Sequence, residues 1–149
     1  MSREDERNRR ENTACQAVRE VYASLATIEI ERACIGRTEC CRFRLTGEVP
    51  YVTRGEALVA ARAYRATGRR SLPPPAPDGA CPMLSKTGRC LIYADRPFAC
   101  RTHFCRAAGG PFPRKSVAPL IQQLEQIDAS LNGSGSIMLP KALSELISH

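Results

Sequence analysis

Cysteines are the residues of this chain best suited to chemistry, and seven of the eight fall in two groups. The downstream group spans residues 81–105 and holds four cysteines and one of the two histidines. The upstream group, CIGRTECC, contains Cys34, Cys40 and Cys41. Thiolates bind zinc, iron and other soft or borderline metals, and a folded loop can bring distant sulfurs onto one ion. The two groups therefore indicate a metal centre.

The number and spacing of the donors suggest how they are shared. Seven grouped cysteines and His103 make eight donors, the number that two tetrahedral sites need. Cys100 and His103 are three residues apart, so on a helical turn they share a face and can bind one ion. For His103, a capping or surface position is the alternative. The predicted metal ligands are Cys34, Cys40, Cys41, Cys81, Cys90, Cys100, Cys105 and His103.

The downstream cysteines lie in a longer motif, CPML followed by GRCLIYADRPFACR. This motif resembles the YkgJ-like family of zinc- or iron-chelating cysteine-cluster proteins, a domain that also occurs inside flagellin lysine methylases. The resemblance implies bound zinc, with iron or an iron–sulfur cluster as the alternative. The residues that carry it are Cys81, Pro82, Gly88, Cys90, Ile92, Tyr93, Arg96, Pro97, Cys100 and Arg101.

The upstream group departs from the family pattern, which resembles Cys-x2-Cys-x2-Cys-Cys. This chain keeps three of those cysteines but has Arg37 at the second position. We expect that Cys15, Cys105 or His103 replaces the missing ligand, or that one site is lost. Cys15 lies near the apolar stripe of a predicted helix, so a packed core thiol is favoured over a ligand.

Residues that are not cysteines are predicted to support the ligands. Arg96 and Arg101 are expected to donate hydrogen bonds to thiolates or to backbone carbonyls around the metal. Pro82 and Pro97 would fix turns next to ligands. Gly88 would supply a turn conformation before the following cysteine.

Length and composition limit the class of protein. The 149 residues and 43% hydrophobic content are typical of one globular domain, predicted over residues 1–149. Residues 1–11 are a mixed charge run, expected to be frayed and solvated. We see no secretory signal and no apolar run of about 18 residues, so a cytoplasmic protein without a membrane partner is expected. Thiols stay reduced in the cytosol, which favours metal over disulfides.

The periodicity of apolar residues predicts an α+β, mostly helical fold. Three to four helices would surround a small, irregular, short-stranded, cysteine-rich metal module at residues 34–106, with C-terminal helices in 111–149. The predicted helices run from Asn12 or Thr13 to about Ala33, from Arg54 to about Thr67, from Val117 to about Leu131 and from Pro140 to about Ile147. The predicted strands are Phe43–Leu45, Val49–Val52 and Leu91–Tyr93.

Three functions fit these features. The leading interpretation is a cytosolic protein that holds zinc or iron through clustered thiolates, in a structural or chelating role, with a protein partner left open. The second is a metal-dependent enzyme or an accessory of a methylase-like system, although we see no glycine-rich cofactor loop and no Ser/His/Asp set. The third is a zinc-dependent nucleic-acid-binding module, for which the net charge of +7 is the sole support. A non-enzymatic metal-binding protein is favoured.

Overall fold

The computed structural model describes residues 2–28, 49–102 and 113–147. Within these ranges the chain forms five α-helices and one antiparallel pair of short strands, which confirms the mostly helical α+β class. The short helix α3 is additional to the four that the sequence predicts. The elements are α1 (Arg3–Ala26), β1 (Tyr51–Val52), α2 (Arg54–Ala66), α3 (Phe98–Thr102), α4 (Arg114–Ser130), β2 (Ile137–Met138) and α5 (Leu139–Leu146).

Helix α1 begins earlier than the sequence pattern predicts. The Ser2 hydroxyl accepts a hydrogen bond from the Asp5 backbone N–H (3.1 Å), and the Asp5 carboxylate accepts one from the Ser2 N–H (3.3 Å). These bonds satisfy amide donors that a helix start leaves unpaired. The predictions of a frayed 1–11 and of a start at Asn12 or Thr13 are therefore wrong for residues 3–11, which are helical and largely exposed. The helix also ends at Ala26, before the predicted end.

Helix α2 matches its prediction at both ends. The Thr53 backbone N–H donates to the Glu56 carboxylate at 2.9 Å, as a capping box requires, and the Thr53 hydroxyl donates to the same carboxylate at 3.0 Å. The helix ends at Ala66, and Gly68 follows with a φ of 90°, a conformation that favours glycine. Signals within a few residues of each end therefore determine this helix.

The short sheet joins two distant parts of the chain. Tyr51 pairs with Met138 and Val52 pairs with Ile137, and the Leu139 N–H donates to the Pro50 carbonyl (2.9 Å). Strand β2 is not predicted from the sequence, because two residues are too few to show an alternating pattern. The predicted strand Phe43–Leu45 lies outside the described residues.

Helix α2 lies between two apolar clusters and contributes to both. The α1 cluster contains Cys15, Val18, Val21, Tyr22, Leu25, Leu58, Val59, Phe98, Val117, Leu120 and Leu124. The α5 cluster contains Val52, Ala57, Ala60, Ala61, Tyr64, Leu72, Met83, Ile92, Leu139, Ala142, Leu143 and Ile147. The sequence predicts a buried stripe of Ala14, Val18, Val21, Leu25 and Ile28. The first four are buried in α1, whereas Ile28 follows the end of the helix and is half-buried.

Helices α1, α2 and α4 cross closely at Gly55. A Cβ atom at this position would lie 2.9 Å from the Cγ2 atoms of both Val18 and Ile127. That distance is below van der Waals contact, so glycine allows the three helices to approach. From the sequence alone, Gly55 is only a member of a capping motif.

The two C-terminal helices, α4 and α5, begin slightly earlier than predicted. Helix α4 starts three residues before its predicted start at Val117, and α5 starts one residue before Pro140. The buried Asp128 carboxylate at the end of α4 accepts hydrogen bonds from the Arg54 N–H (2.8 Å) and the Gly135 N–H (3.0 Å). It thereby joins the start of α2 to the loop before β2. No helix in the described ranges has the length and apolar character needed to cross a membrane.

Candidate metal centre

Three of the eight predicted ligands belong to the described part of the chain. Cys81, Cys90 and Cys100 are each half-buried. The other five predicted ligands lie outside the described residues: Cys34, Cys40, Cys41, His103 and Cys105.

Cys81 and Cys90 belong to one compact segment, residues 71–92, called here the Cys81–Cys90 loop. Within it Leu84 forms an antiparallel bridge with Cys90, and the Leu91 N–H donates to the Met83 carbonyl (2.8 Å). The Ser85 N–H donates to the Arg89 carbonyl (2.8 Å), which closes a tight turn. This turn contains Gly88 at a φ of 81°, which confirms its predicted turn conformation.

Apolar side chains attach the Cys81–Cys90 loop to the scaffold. Leu72, Met83 and Ile92 are buried in the α5 cluster, and both cysteines pack against that same cluster. The Tyr64 hydroxyl of α2 also donates to the Ser71 carbonyl (2.7 Å). The two thiols therefore lie at the edge of one apolar surface.

The strand predicted at Leu91–Tyr93 is wrong. Leu91 and Ile92 lie in a turn, and Tyr93–Asp95 forms a single 3-10 turn. Of the apolar residues that suggested a strand, Ile92 is buried in the core, whereas Tyr93 is 56% exposed.

Cys100 lies in a second segment, residues 93–102, called here the Cys100 arm. It contains the 3-10 turn and helix α3, which packs beside β1. Pro97 and Phe98 are buried, and the Pro97 carbonyl accepts from the N–H groups of Cys100 (3.0 Å) and Arg101 (3.1 Å). The backbone of Cys100 is thus part of a short, anchored helix.

A buried carboxylate binds the start of α3. Glu56 is 2% exposed, and its Oε1 accepts from the Phe98 N–H (2.7 Å) and from the Tyr22 hydroxyl (3.2 Å). Burial raises the pKa of the Glu56 carboxyl, and its hydrogen bonds from Thr53, Phe98 and Tyr22 oppose that rise. Burial, and then the Glu56 charge, raise the pKa of Tyr22, so this hydroxyl keeps the proton that it donates.

The two predicted supporting arginines contact carbonyls and aromatic rings. Arg101 donates to the carbonyls of Arg96 and Ala94, at 2.6 Å each, and its guanidinium lies 4.2 Å from the Tyr22 ring centre. Arg96 donates to the Tyr93 carbonyl (3.1 Å) and stacks on the Tyr93 ring at 3.9 Å. Arg101 therefore braces the Cys100 arm against α1, and Arg96 stiffens the 3-10 turn.

Cys15 has the surroundings of a core thiol. It is 1% exposed and belongs to the α1 cluster. Burial raises its pKa, with Arg62 and Arg19 acting in the opposite direction, so the neutral thiol is favoured. These surroundings fit the favoured prediction of a packed thiol.

The described residues contain no group of three or more Cys, His, Asp or Glu side chains that could hold a metal ion. Within those ranges the Cys81–Cys90 loop and the Cys100 arm pack on different clusters, the first on the α5 cluster and the second on the α1 cluster. The donor chemistry of the three half-buried thiols fits zinc or iron, and a complete coordination shell needs donors beyond those three.

Sequence reasoning missed the Tyr22–Glu56 pair. In the sequence Glu56 belongs to a capping box, for which one carboxylate oxygen suffices, and Tyr22 has no predicted role. The signal that was available is the position of Tyr22 directly after Val21 in the buried stripe of α1, since a buried tyrosine hydroxyl needs a polar partner.

Comparison with known families gives one match. Residues 32–115, more than half of the chain, match the CxxCxxCC family, described as "Putative zinc- or iron-chelating domain". The matched range includes all eight predicted ligands, from Cys34 to Cys105, and excludes Cys15. Neither a curated protein nor a solved structure matches the chain. The link to flagellin lysine methylases stays a prediction.

Proposed function

Because the chain belongs to the CxxCxxCC family of zinc- or iron-chelating domains, we propose that it is a cytosolic protein holding one of these metals through its clustered cysteine thiolates. The role proposed for the metal is structural or chelating. The proposed ligands are the seven grouped cysteines and His103, and zinc is the metal that we favour. A bound ion would supply strong bonds between segments of the chain that have few apolar residues of their own.

The observation that carries the proposal is the placement of Cys81 and Cys90. The Leu84–Cys90 bridge and the shared α5 cluster hold two cysteines that are nine residues apart in the sequence at one apolar edge. Half-buried thiols beside an apolar surface are suited to metal binding, because the surface limits water access while the sulfur stays reachable.

A second contact supports convergence of the two cysteine groups. Helix α3, which carries Cys100, packs beside β1, and β1 begins ten residues after Cys41. The chain between Cys41 and β1 is therefore short, and the proposed centre can draw ligands from both groups.

Metal analysis of freshly purified, untagged protein tests the proposal. Under anaerobic, reducing conditions we expect about one or two zinc or iron ions per chain. Replacing Cys81, Cys90 or Cys100 by serine should lower that content. Cys15→Ala is the matched control, because this thiol is buried in the α1 cluster, and it should leave the metal content unchanged.

Two results would contradict the proposal. One is metal below about 0.2 ions per chain with all thiols reactive. The other is full metal content in each of the three serine variants.

A further inference from the structure

The carboxylate of Glu56 makes more contacts than a helix cap needs. In a capping box one glutamate oxygen accepts from the N-terminal residue, and here Oε2 does so by binding the Thr53 N–H and hydroxyl. The other carboxylate oxygen, Oε1, takes no part in the cap. It accepts at 2.7 Å from the N–H of Phe98, a residue 42 positions away in the sequence.

Phe98 is the first residue of α3, and Cys100 lies two residues after it. The Phe98 N–H is one of the donors that a helix start cannot satisfy within the helix. A carboxylate oxygen 2.7 Å from this N–H accepts a short hydrogen bond, and Glu56 itself is fixed because it is 2% exposed. The position of α3 is therefore determined from α2.

A second contact joins α3 to Tyr22, which is hydrogen-bonded to Glu56. Tyr22 donates to Glu56 Oε1 at 3.2 Å, and the Arg101 guanidinium stacks on the Tyr22 ring at 4.2 Å. Cys100 thus lies between Phe98, which binds Glu56, and Arg101, which stacks on Tyr22. On both sides of this thiol, α3 is attached to one buried Tyr22–Glu56 pair.

We propose that Glu56 is a positioning residue for the metal centre: it holds the backbone of Cys100 in place before metal binds. The inference rests on the proposed function, in which Cys100 is a ligand. A ligand that is already ordered does not need to be immobilised by the ion, so the centre binds metal more tightly than it would with a free Cys100 arm. Glu56 acts on Cys100 through the backbone of Phe98.

The chain offers a matched control in Asp128. This second buried carboxylate also accepts a backbone N–H at the start of α2, that of Arg54 at 2.8 Å, and is 4% exposed. Its other oxygen binds Gly135, in the loop before β2. Asp128→Asn and Glu56→Gln thus disturb the same helix end by the same chemical change, and of the two only the Glu56 substitution alters an acceptor of the Phe98 N–H.

The first measurement uses metal-free, reduced protein. The amide exchange of Cys100 and Arg101, both bonded to the Pro97 carbonyl, reports the order of α3. We expect Glu56→Ala to speed this exchange about 10- to 100-fold and Glu56→Gln to have a smaller effect, because the amide keeps one acceptor. Asp128→Asn should leave it within about twofold of the wild type.

The second measurement is the affinity for zinc and for cobalt(II), by competition with a chromophoric chelator. We expect Glu56→Ala to weaken both by about 10- to 100-fold and Glu56→Gln to weaken both by a smaller factor, with altered thiolate-to-cobalt charge-transfer bands. Asp128→Asn should keep the wild-type affinity and spectrum even if it lowers the melting temperature.

The outcomes separate the two proposals. A wild-type chain that takes up no zinc, cobalt(II) or iron refutes the proposed function, whereas the exchange of the metal-free protein still decides whether Glu56 orders Cys100. Unchanged exchange of Cys100 in both Glu56 variants overturns the positioning role. An equal loss of metal affinity in Glu56→Gln and Asp128→Asn also overturns it, because general destabilisation would then explain the loss.

Discussion

The Cys81–Cys90 loop and the Cys100 arm are attached to the helical scaffold by different kinds of contact. The loop inserts three apolar side chains, Leu72, Met83 and Ile92, into the α5 cluster. The arm combines buried Phe98 with polar contacts to α1 and α2: the Glu56 carboxylate, the Tyr22 ring and an ion pair of Arg19 with Asp95 at 3.3 Å.

The difference predicts how each segment depends on metal. Apolar contacts keep the three buried side chains in the core, but they are not directional and do not fix the orientation of the backbone. The loop between these side chains can therefore move if the ion is lost. Hydrogen bonds to a buried carboxylate are directional, so the arm should keep its orientation. We therefore expect one segment to be ordered largely by metal and the other to be ordered in advance.

Metal removal has the largest expected effect. A strong chelator under reducing conditions should remove a contribution of about 10–16 kcal/mol if the site is structural zinc. Hydrogen exchange in residues 71–92 should then rise by more than about 100-fold, whereas helices α1 and α4 should stay largely protected. Equal protection of the Cys81–Cys90 loop with and without metal would contradict the comparison, and so would a Cys100 arm that exchanges as fast as the loop.

Met83→Ala is next in size. Met83 is 1% exposed, and its truncation leaves a cavity in the α5 cluster at a cost of about 2–5 kcal/mol in the free energy of unfolding. Urea unfolding of metal-loaded protein measures this, with Leu84→Ala at a half-buried neighbour as the smaller control. If the two variants lose the same stability, the apolar anchoring of the loop is not centred on Met83.

Gly55→Ala tests the start of α2. The added methyl group would meet Val18 and Ile127 at 2.9 Å, and relieving that overlap should cost about 1–3 kcal/mol. Because Glu56 is the next residue, amide exchange should rise in the Cys100 arm more than in the Cys81–Cys90 loop. Gly68→Ala is the contrast, since no atom lies within 4 Å of its Cβ and any cost arises from the φ of 90°.

Because Cys15 is buried in the α1 cluster, the free energy of unfolding should depend on pH. An unperturbed cysteine thiol ionises with a pKa of 9.0, and burial raises the pKa of Cys15 in the folded state. The unfolded thiol therefore ionises first, so its stabilising contribution is complete below about pH 9 and declines as the pH rises toward the folded-state pKa. Between about pH 9 and about pH 10 the wild type should lose up to about 1.4 kcal/mol more than Cys15→Ala in denaturant unfolding. A parallel decline in both proteins would refute this.

The smallest effect is expected from Arg19→Ala. Its ion pair with Asp95 joins α1 to the Cys100 arm, but the Arg19 side chain is 45% exposed, and such pairs contribute about 0–1 kcal/mol. Thermal unfolding at low and high salt measures the contribution, which should fall as salt is added. A loss above about 2 kcal/mol would contradict this prediction, because it exceeds what an exposed ion pair contributes.

Local features of the chain were predicted well. The ends of α2, the turn conformation at Gly88, most of the buried stripe of α1 and the starts of α4 and α5 within three residues were predicted from signals that lie within a few positions of each other. The predicted start of α1 was wrong because residues 1–11 were interpreted as a solvated charge run, although Ser2 and Asp5 can cap a helix there. The strand at Leu91–Tyr93 was wrong because a short apolar run fits a buried turn equally well.

The sequence by itself determined the family, a zinc- or iron-chelating domain, because cysteine spacing and the turn residues beside the cysteines are properties of the local chain. The tertiary structure alone decided how Cys81, Cys90 and Cys100 are held. The pairing of β1 with β2, the crossing at Gly55 and the bond from Glu56 to Phe98 each join residues more than about 30 positions apart. Such contacts depend on the packing of whole helices, for which a single sequence carries no periodic signal.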